Sequence, residues 1–144
     1  MIKEVQSMAT FVYGALGPGW TENIYQEAME LELRLRHIRF EAKRIVPIQY
    51  KGHMIGSCIP DLIVWQEDCS SALVVDLKAT EYMKMGDDTQ VRRYVGELSR
   101  EMPDVQLTGL LVNFCQAGAK RKLQDVLEED GLQLYYTGVE TILH

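Results

Sequence analysis

Two apolar stretches of the sequence each carry an acidic residue near one end. Asp61 follows Pro60 in "IPDLIV", and Asp76 stands two positions before Lys78 in "VVDLKAT". Alternate residues of a strand project from the same face, so Asp76 and Lys78 are expected to share one side of a sheet. A charge pair at the end of an apolar strand is costly unless a metal, a partner or water satisfies it. If the two strands are neighbours, both carboxylates meet at one point.

Two carboxylates with a backbone carbonyl make an oxygen site suited to Mg²⁺ or Mn²⁺. Such a cation binds a phosphate oxygen, lowers the pKa of a bound water and stabilises a leaving oxygen. A lysine beside it can position the water or neutralise the charge that grows on the phosphate. The spacing of Asp61, Asp76 and Lys78 is also compatible with an exposed ion pair of little energetic value. The spacing alone therefore leaves a metal site and a salt bridge both open.

Each half of this pattern also occurs elsewhere in the chain. Glu41-Ala42-Lys43 repeats the acid-x-Lys triplet without a Pro-Asp pair upstream, and Pro103-Asp104 repeats the Pro-Asp pair without the triplet downstream. Only Pro60-Asp61, followed 15 positions later by Asp76-Leu77-Lys78, places both on consecutive predicted strands. The combination is therefore more specific than either part.

Helical periodicity predicts two N-terminal helices. The first has apolar residues at Ile2, Val5, Ala9, Val12 and Leu16. Gly17-Pro18-Gly19 ends it, because glycine tolerates left-handed backbone and proline cannot continue the helix. Thr21 is the expected N-cap of the second helix, which places Glu22 in its first turn. The apolar stripe of the second helix is expected to be Ile24, Ala28, Leu31 and Leu35.

Strand patterns begin after Arg39. Residues 40–65 predict two strands joined by a turn at Lys51-Gly52. Residues 71–80 predict a short buried strand whose charged end reaches a site. Asp76 and Lys78 belong to that end.

Helices and strands continue to alternate in the second half of the chain. A helix is predicted over residues 87–101, with Asp87 or Asp88 as its cap. Its apolar ridge consists of Val91, Tyr94, Val95 and Leu98. The remaining predicted segments are a strand over 105–114, a helix over 119–130 and a strand over 132–136. This order predicts one α/β domain over residues 1–144, with helices packed on a sheet.

Composition is that of an ordinary globular protein, with 47% hydrophobic and 25% charged residues. The longest stretch free of Asp, Glu, Lys and Arg runs from Val5 to Thr21 and contains Gly-Pro-Gly, so no membrane span is expected. The opening "MIKE" lacks a positive n-region, so no signal peptide is expected. Three widely spaced cysteines without a CxxC pair predict free thiols in a reducing cytoplasm.

The net charge of −6 counts against a protein that simply coats nucleic acid. Basic residues are nevertheless clustered, and residues 34–51 hold six Lys or Arg against one Glu. Such strips either hold a phosphate backbone or form solvated faces. The candidates for nucleic-acid contact are Arg44, Lys51, Arg92 and Arg93. A second basic group consists of Arg92, Arg93 and Arg100, and a third consists of Lys120, Arg121 and Lys122.

The acids and the lysine also resemble a known nuclease motif. Pro60-Asp61 with Asp76-Leu77-Lys78 is similar to the PD-(D/E)xK motif of the restriction-endonuclease-like nuclease superfamily. Gly19 to Tyr25, "GWTENIY", matches the GxxExxY signature of a small family within it. Gln90 and Tyr94 repeat a QxxxY pattern that exonuclease-like members carry on the next helix. "DLKATE" resembles the strand-end block of that family through Glu81, and "GLLVNF" resembles its next core strand.

The resemblance implies a restriction-endonuclease-like core, with a mixed central sheet flanked by helices and metal-dependent phosphodiester hydrolysis. Mg²⁺ or Mn²⁺ is the implied cofactor. The implied metal ligands are Glu22, Asp61, Asp76 and the carbonyl of Leu77. Lys78 is implied to act on the attacking water, and Gln90 and Tyr94 are implied to face the same cleft. Tyr25 and Tyr94 also fit a purely structural role as core aromatics with a hydrogen-bonded hydroxyl.

Three functions are compatible with this sequence. The first is a metal-dependent nuclease that acts on DNA or RNA. The second is a nuclease-like fold that binds nucleic acid, or serves as an accessory subunit, without cutting. The third is an α/β interaction protein whose acid cluster is incidental. A homodimer is left open, since a small acidic chain gains grip on a duplex from a second copy.

Overall fold

The computed structural model describes residues 1–81, 83, 86–116, 127–129, 132–136 and 139–143. Three helices are described, namely α1 (Ile2–Leu16), α2 (Glu22–Leu35) and α3 (Thr89–Glu101). The first strands are β1 (Phe40–Ala42), β2 (Val46–Tyr50), β3 (His53–Cys58), β4 (Leu62–Trp65) and β5 (Ser71–Lys78). The later strands are β6 (Gln106–Phe114), β7 (Leu127–Glu129), β8 (Leu132–Tyr136) and β9 (Val139–Leu143).

The central sheet has seven strands in the order β1-β4-β5-β6-β9-β8-β7. Its β5–β6 pair is parallel and its other described pairs are antiparallel, so the sheet is mixed. Strands β2 and β3 form a separate two-stranded sheet. This arrangement confirms the predicted α/β fold with a mixed central sheet, two N-terminal helices and a restriction-endonuclease-like organisation.

Helices cover both faces of the central sheet. The apolar residues of α1 and α2 form one buried cluster with alternate residues of β4, β5 and β6, including Leu62, Val75 and Leu77. Tyr94 and Leu98 of α3 form a second cluster with the opposite residues of β4 and β5 and with β2. Because residues alternate along β5, Asp76 and Lys78 lie on the face that α3 covers. The sheet thus separates the two N-terminal helices from the layer that carries these charges.

Helix α1 buries the face that its periodicity predicts. Val5, Met8, Ala9 and Val12 are buried in it, and Ile2 and Leu16 pack against the same cluster. Helix α3 likewise buries Val91, Tyr94 and Leu98. No helix in the described ranges is both long and apolar enough to cross a membrane.

The buried face of α2 differs from the predicted apolar stripe. Ile24, Leu31 and Leu35 are 39%, 52% and 64% exposed. The helix instead buries Tyr25, Gln26, Met29 and Leu33. Of the predicted stripe, Ala28 packs against the core cluster. The prediction was wrong for the other three residues because Tyr25, Met29 and Leu33 follow helical spacing from one position further on, and this second apolar stripe is the one that packs in the core. The Tyr25 hydroxyl and the Gln26 amide both hydrogen bond to backbone carbonyls of other segments.

This rotation of α2 gives two neighbouring leucines opposite roles in stability. Leu33 is fully buried and Leu31 is 52% exposed. We expect Leu33→Ala to lower the free energy of unfolding by about 2 to 5 kcal/mol, because it leaves a cavity in the core. We expect Leu31→Ala to change it by less than about 0.5 kcal/mol. Urea denaturation of the two variants measures the difference. Equal losses would show that α2 packs through the other face.

Residues 40–65 form four strands rather than the two that their pattern predicts. The predicted turn at Lys51-Gly52 is confirmed and joins β2 to β3. Both turn residues have positive φ, 49° and 77°, as a tight hairpin with a right-handed twist requires. Strands β1 and β4 flank this hairpin and pair with each other. The prediction merged them with the hairpin because the linkers between the strands are short.

The C-terminal predictions were correct in part. Strand β8 occupies the predicted final strand. Residues 127–129, predicted as the end of a helix, form β7 and pair with β8. The rest of the predicted helix, residues 119–126 and 130, lies outside the described residues. Strand β9 was not predicted and pairs with both β6 and β8. A five-residue segment gives little local signal, and its two partner strands determine its conformation.

Candidate active site

The two acids of the Pro-Asp and Asp-x-Lys segments meet at one edge of the β4–β5 pair. Leu62 lies opposite Val75 in this antiparallel register, which places Asp61 beside Asp76. Their side chains are nearly buried, with 8% and 7% of the residue exposed. Burial raises the pKa of Asp76 to about 8, and a hydrogen bond to Asp61 and its charge act in the same direction. Asp76 is therefore expected to keep its proton near neutral pH.

Several groups hold Asp61 in place. The backbone N–H of Leu77 donates to its Oδ2 at 2.7 Å. The Nε2 of Gln26, a buried residue of α2, donates to its backbone carbonyl at 2.9 Å. Lys43 forms an ion pair with its Oδ1. The sheet, α2 and the loop after β1 thus all fix this one carboxylate.

Lys43 is a site residue that the sequence did not reveal. Its backbone N–H donates to the Asp61 carbonyl at 3.1 Å. Its φ is 53°, in the left-handed region, and the chain turns there from β1 into the hairpin. The triplet Glu41-Ala42-Lys43 showed no link to Asp61, since 17 residues separate the lysine from the aspartate in the chain. No local pattern predicts this contact, because it depends on the closure of the hairpin.

Lys78 stands at the end of β5, on the same side as Asp76. The side chain is half-buried, and its positive charge lowers the pKa of Asp76, against the larger effect of burial. No carboxylate in the described ranges lies within ion-pair distance of its ammonium. The ammonium is thus close to the acid pair without being bound to it.

Asn113 fixes the chain just beyond Lys78. The parallel register of β5 and β6 places Lys78 opposite Asn113, which is fully buried. Its Oδ1 accepts a hydrogen bond from the Thr80 N–H at 2.9 Å, and its Nδ2 donates to the Thr80 carbonyl at 3.2 Å. One side chain thus pairs with both backbone groups of Thr80, and the Gln116 N–H also donates to the Thr80 carbonyl at 3.0 Å. This amide therefore positions the segment that carries the lysine.

Tyr94 of α3 faces the acid pair from the layer above the sheet. It is 4% exposed. Burial raises its pKa to about 12, and the charges of Asp76, Cys58 and Asp61 act in the same direction. Gln90, one turn earlier and exposed, hydrogen bonds to the Tyr94 hydroxyl. The QxxxY pair thus lies against the carboxylates, and its tyrosine is also part of the core.

Glu22 begins α2 directly after the glycine-rich corner. Gly17 and Gly19 have φ values of 69° and 102°, which glycine adopts without strain. The Gly19 N–H donates to Oε1 of Gln116, the second residue after β6, at 2.8 Å. The corner is thereby tied to the end of the central strand. Glu22 is exposed and lies near enough for its charge to raise the pKa of Asp76.

Tyr25 has a structural role in this corner. Its ring stacks on Phe114, with centroids 4.4 Å apart, and its hydroxyl donates to the Gly17 carbonyl at 2.7 Å. The ring is fully buried. The interpretation of Tyr25 as a packed aromatic with a hydrogen-bonded hydroxyl is confirmed.

This role gives a prediction for Tyr25→Phe. We expect a loss of about 1 to 2 kcal/mol in the free energy of unfolding, since the Gly17 carbonyl loses its donor. We expect most cleavage activity to remain, because the stacked ring still holds α2. Thermal unfolding and an initial-rate assay measure both. A variant of normal stability without activity would instead give the hydroxyl a part in the chemistry.

The donor set fits a hard cation with few protein ligands. Within the described ranges, no group of three or more His, Cys, Asp or Glu side chains is arranged to hold a metal ion. The Asp61 and Asp76 carboxylates supply oxygen donors at one point, and Mg²⁺ commonly uses one or two carboxylates and completes its shell with water and phosphate. The part of Glu22 and of the Leu77 carbonyl as further ligands stays a prediction.

The candidate nucleic-acid contacts lie in different environments. Arg44 bridges Glu41 and Glu101, each at 3.0 Å. Arg92 forms an ion pair with Asp88, at 2.5 Å. Lys51 is at the hairpin turn, above the Tyr50 ring, and Arg93 is exposed on α3. Lys120, Arg121 and Lys122 lie outside the described residues.

Together, the mixed sheet, the two-sided helical cover and the acid pair beside a lysine define a restriction-endonuclease-like domain. Residues 1–126 match the family model described as the PD-(D/E)XK nuclease superfamily. The chain belongs to this superfamily. No curated protein and no solved structure matches it.

Proposed function

We propose that this protein is a metal-dependent nuclease that hydrolyses phosphodiester bonds in DNA or RNA. The observation that carries the proposal is the meeting of Asp61 and Asp76 beside Lys78, in a chain of the PD-(D/E)XK superfamily. Buried acids that are forced together cost stability in the absence of a cation. Such an arrangement is expected where a site is built for ligand charge rather than for folding.

Each residue of the site has a distinct part in this proposal. Asp61 and Asp76 would hold Mg²⁺ or Mn²⁺, which supplies an activated water and stabilises the leaving oxygen. The Lys78 ammonium is held near Asp76 by β5 and stabilises negative charge that develops on the phosphate. Glu22 adds negative charge from the start of α2. Tyr94, supported by Gln90, excludes water on the α3 side.

Within the superfamily, we place the chain in the GxxExxY group. Two residues of the signature have structural roles that support this placement. Gly19 has a positive φ and binds Gln116, and Tyr25 locks the corner to Phe114. The glutamate between them then stands in the first turn of α2. In this proposal, Gly19 and Tyr25 of the signature fix the corner so that Glu22 is oriented toward the site.

A cleavage assay with a matched pair of variants tests the proposed function. Single- and double-stranded DNA and RNA are incubated with the protein and Mg²⁺ or Mn²⁺, with EDTA as the blank. We expect metal-dependent products from the natural protein and none from Asp61→Asn. Asp104→Asn is the control, since it alters the second Pro-Asp pair at an exposed position and is expected to cut normally.

Other outcomes point to other functions. Cleavage that survives Asp61→Asn would contradict the proposed mechanism. Salt-dependent binding of nucleic acid without any cleavage would favour an accessory subunit with a nuclease-like fold. Binding of neither metal nor nucleic acid would favour an α/β interaction protein. Sedimentation of the same samples measures whether the protein forms the homodimer that its size leaves open.

A further inference from the structure

The ion pair between Lys43 and Asp61 places a cation on an oxygen that a metal would need. Asp61 Oδ2 accepts the Leu77 N–H at 2.7 Å, and Oδ1 contacts the Lys43 ammonium. Within the described ranges, Lys43 is the one basic side chain in ion-pair contact with either acid of the pair. Both oxygens of this carboxylate are therefore already engaged before any metal binds.

The Lys43 side chain can move away from the Asp61 carboxylate while the Lys43 backbone stays in place. The side chain is 56% exposed, whereas that of Asp61 is 11% exposed. The Lys43 ammonium is already partly hydrated, so it loses little solvation when it leaves, whereas the buried carboxylate needs another cation in its place. The Lys43 backbone, by contrast, is anchored by the hydrogen bond of its N–H to the Asp61 carbonyl. A released ammonium would therefore stay at the rim of the same site, on a flexible stem.

We propose that a divalent cation displaces Lys43 from Asp61, and that the freed ammonium then binds a phosphate of the nucleic acid. This inference rests on the proposed function, and it adds Lys43 to the residues that contact substrate. It assigns the lysine two partners in turn, the aspartate before metal binding and the phosphate after it. The divalent cation thus takes the place of the Lys43 ammonium beside the acids, instead of binding next to it. The exchange links metal binding to substrate binding.

The first test measures competition between the lysine and the metal. Calorimetry compares Mg²⁺ binding by the natural protein, Lys43→Gln and Lys3→Gln. Lys3 is an exposed lysine in the first turn of α1 and pairs with no acid in the described ranges. We expect Lys43→Gln to bind Mg²⁺ about two- to fivefold more tightly, as removal of a weak competing ion pair predicts. We expect Lys3→Gln to match the natural protein.

A second measurement needs no substitution in the protein observed. Side-chain NMR follows the lysine ammonium signals as Mg²⁺ is added, with Lys43→Gln used only to assign the peak. We expect the Lys43 signal to move with a midpoint equal to the calorimetric Kd, and the Lys3 signal to stay fixed. Tight Mg²⁺ binding with a fixed Lys43 signal would overturn the exchange.

The phosphate step is tested by the salt dependence of nucleic-acid binding. A Lys78→Met background keeps a short fluorescent duplex intact while Lys43 and its glutamine variant are compared. One phosphate contact changes the slope of log K against log salt by about 0.9. We expect that difference between the two proteins with Mg²⁺ present and no difference without it. Equal slopes in both conditions would overturn the phosphate contact.

The outcomes separate this inference from the proposed function. A natural protein that binds Mg²⁺ and cuts, with a Lys43→Gln variant of unchanged Mg²⁺ affinity, overturns the exchange alone. A natural protein that neither binds Mg²⁺ nor cuts overturns both.

Discussion

Asp76→Asn is expected to make the metal-free protein more stable and to abolish metal-dependent cleavage. Asp76 is 7% exposed and hydrogen bonds to another carboxyl group. An amide has the same shape, stays neutral and can donate to Asp61 in place of the protonated Asp76 carboxyl group. At about 1.4 kcal/mol per pKa unit, the shift to about 8 sets an upper limit of about 4 kcal/mol at pH 7. We expect a gain on the order of 2 kcal/mol after relaxation and water access.

The gain from Asp76→Asn is expected to depend on pH in a definite direction. The pKa of Asp76 is about 8 in the folded protein, above the unfolded value of 3.8. Between these values the folded state binds a proton that the unfolded state has released, so the stability of the natural protein falls as pH rises. The variant lacks this titration. Its advantage is therefore small near pH 4 and grows up to about pH 8.

Urea denaturation in EDTA at pH 5 and pH 8 measures this difference, with Asp104→Asn as the surface control. Added Mg²⁺ is expected to raise the melting temperature of the natural protein and to leave that of Asp76→Asn unchanged, because a ligand stabilises only the state that binds it. An equal stability gap at both pH values would show that Asp76 is ionised in the folded protein. The comparison thus separates two effects of Asp76, namely the stability that it costs the metal-free protein and its contribution to metal binding.

The carboxylates of this site could be predicted from the sequence because their placement follows from local rules. Strand alternation puts Asp76 and Lys78 on one face, and adjacency of two consecutive strands brings Asp61 to Asp76. Lys43 could not be predicted in this way. Its contact depends on a left-handed backbone at one residue and on a hairpin that returns the chain to Asp61. The spacing of apolar residues in the sequence predicts neither the left-handed backbone nor the closure of the hairpin.

The packing of helix α2 was also not predictable from the local sequence pattern. The predicted stripe gave the wrong face because α2 also carries a second apolar stripe, Tyr25, Met29 and Leu33, at helical spacing. On the buried side, Gln26 and Tyr25 also hydrogen bond to the Asp61 and Gly17 carbonyls, at 2.9 and 2.7 Å. These contacts exist only once the sheet edge and the corner are in place. The helical period therefore leaves the choice between the two apolar stripes open, and the contacts with the rest of the fold decide which one is buried.

Lys78→Met is expected to lower the cleavage rate by at least about a hundredfold while Mg²⁺ affinity is kept. Loss of one group that stabilises developing charge commonly costs a factor of about 10² to 10³. Methionine keeps much of the half-buried stem and removes the ammonium. A positively charged side chain cannot be a metal ligand, and its charge beside Asp76 opposes a cation. Mg²⁺ affinity is thus expected to stay equal or to rise slightly.

Single-turnover kinetics at saturating Mg²⁺, together with calorimetry, separates the two effects. Lys3→Met is the control and is expected to retain both affinity and rate. Asp76→Asn is expected to lose both, whereas Lys78→Met loses only the rate. A Lys78→Met variant that fails to bind Mg²⁺ would give the lysine a structural role in holding Asp76. A variant that cuts at the natural rate would show that Lys78 has no part in catalysis. The two acids alone would then act on the attacking water.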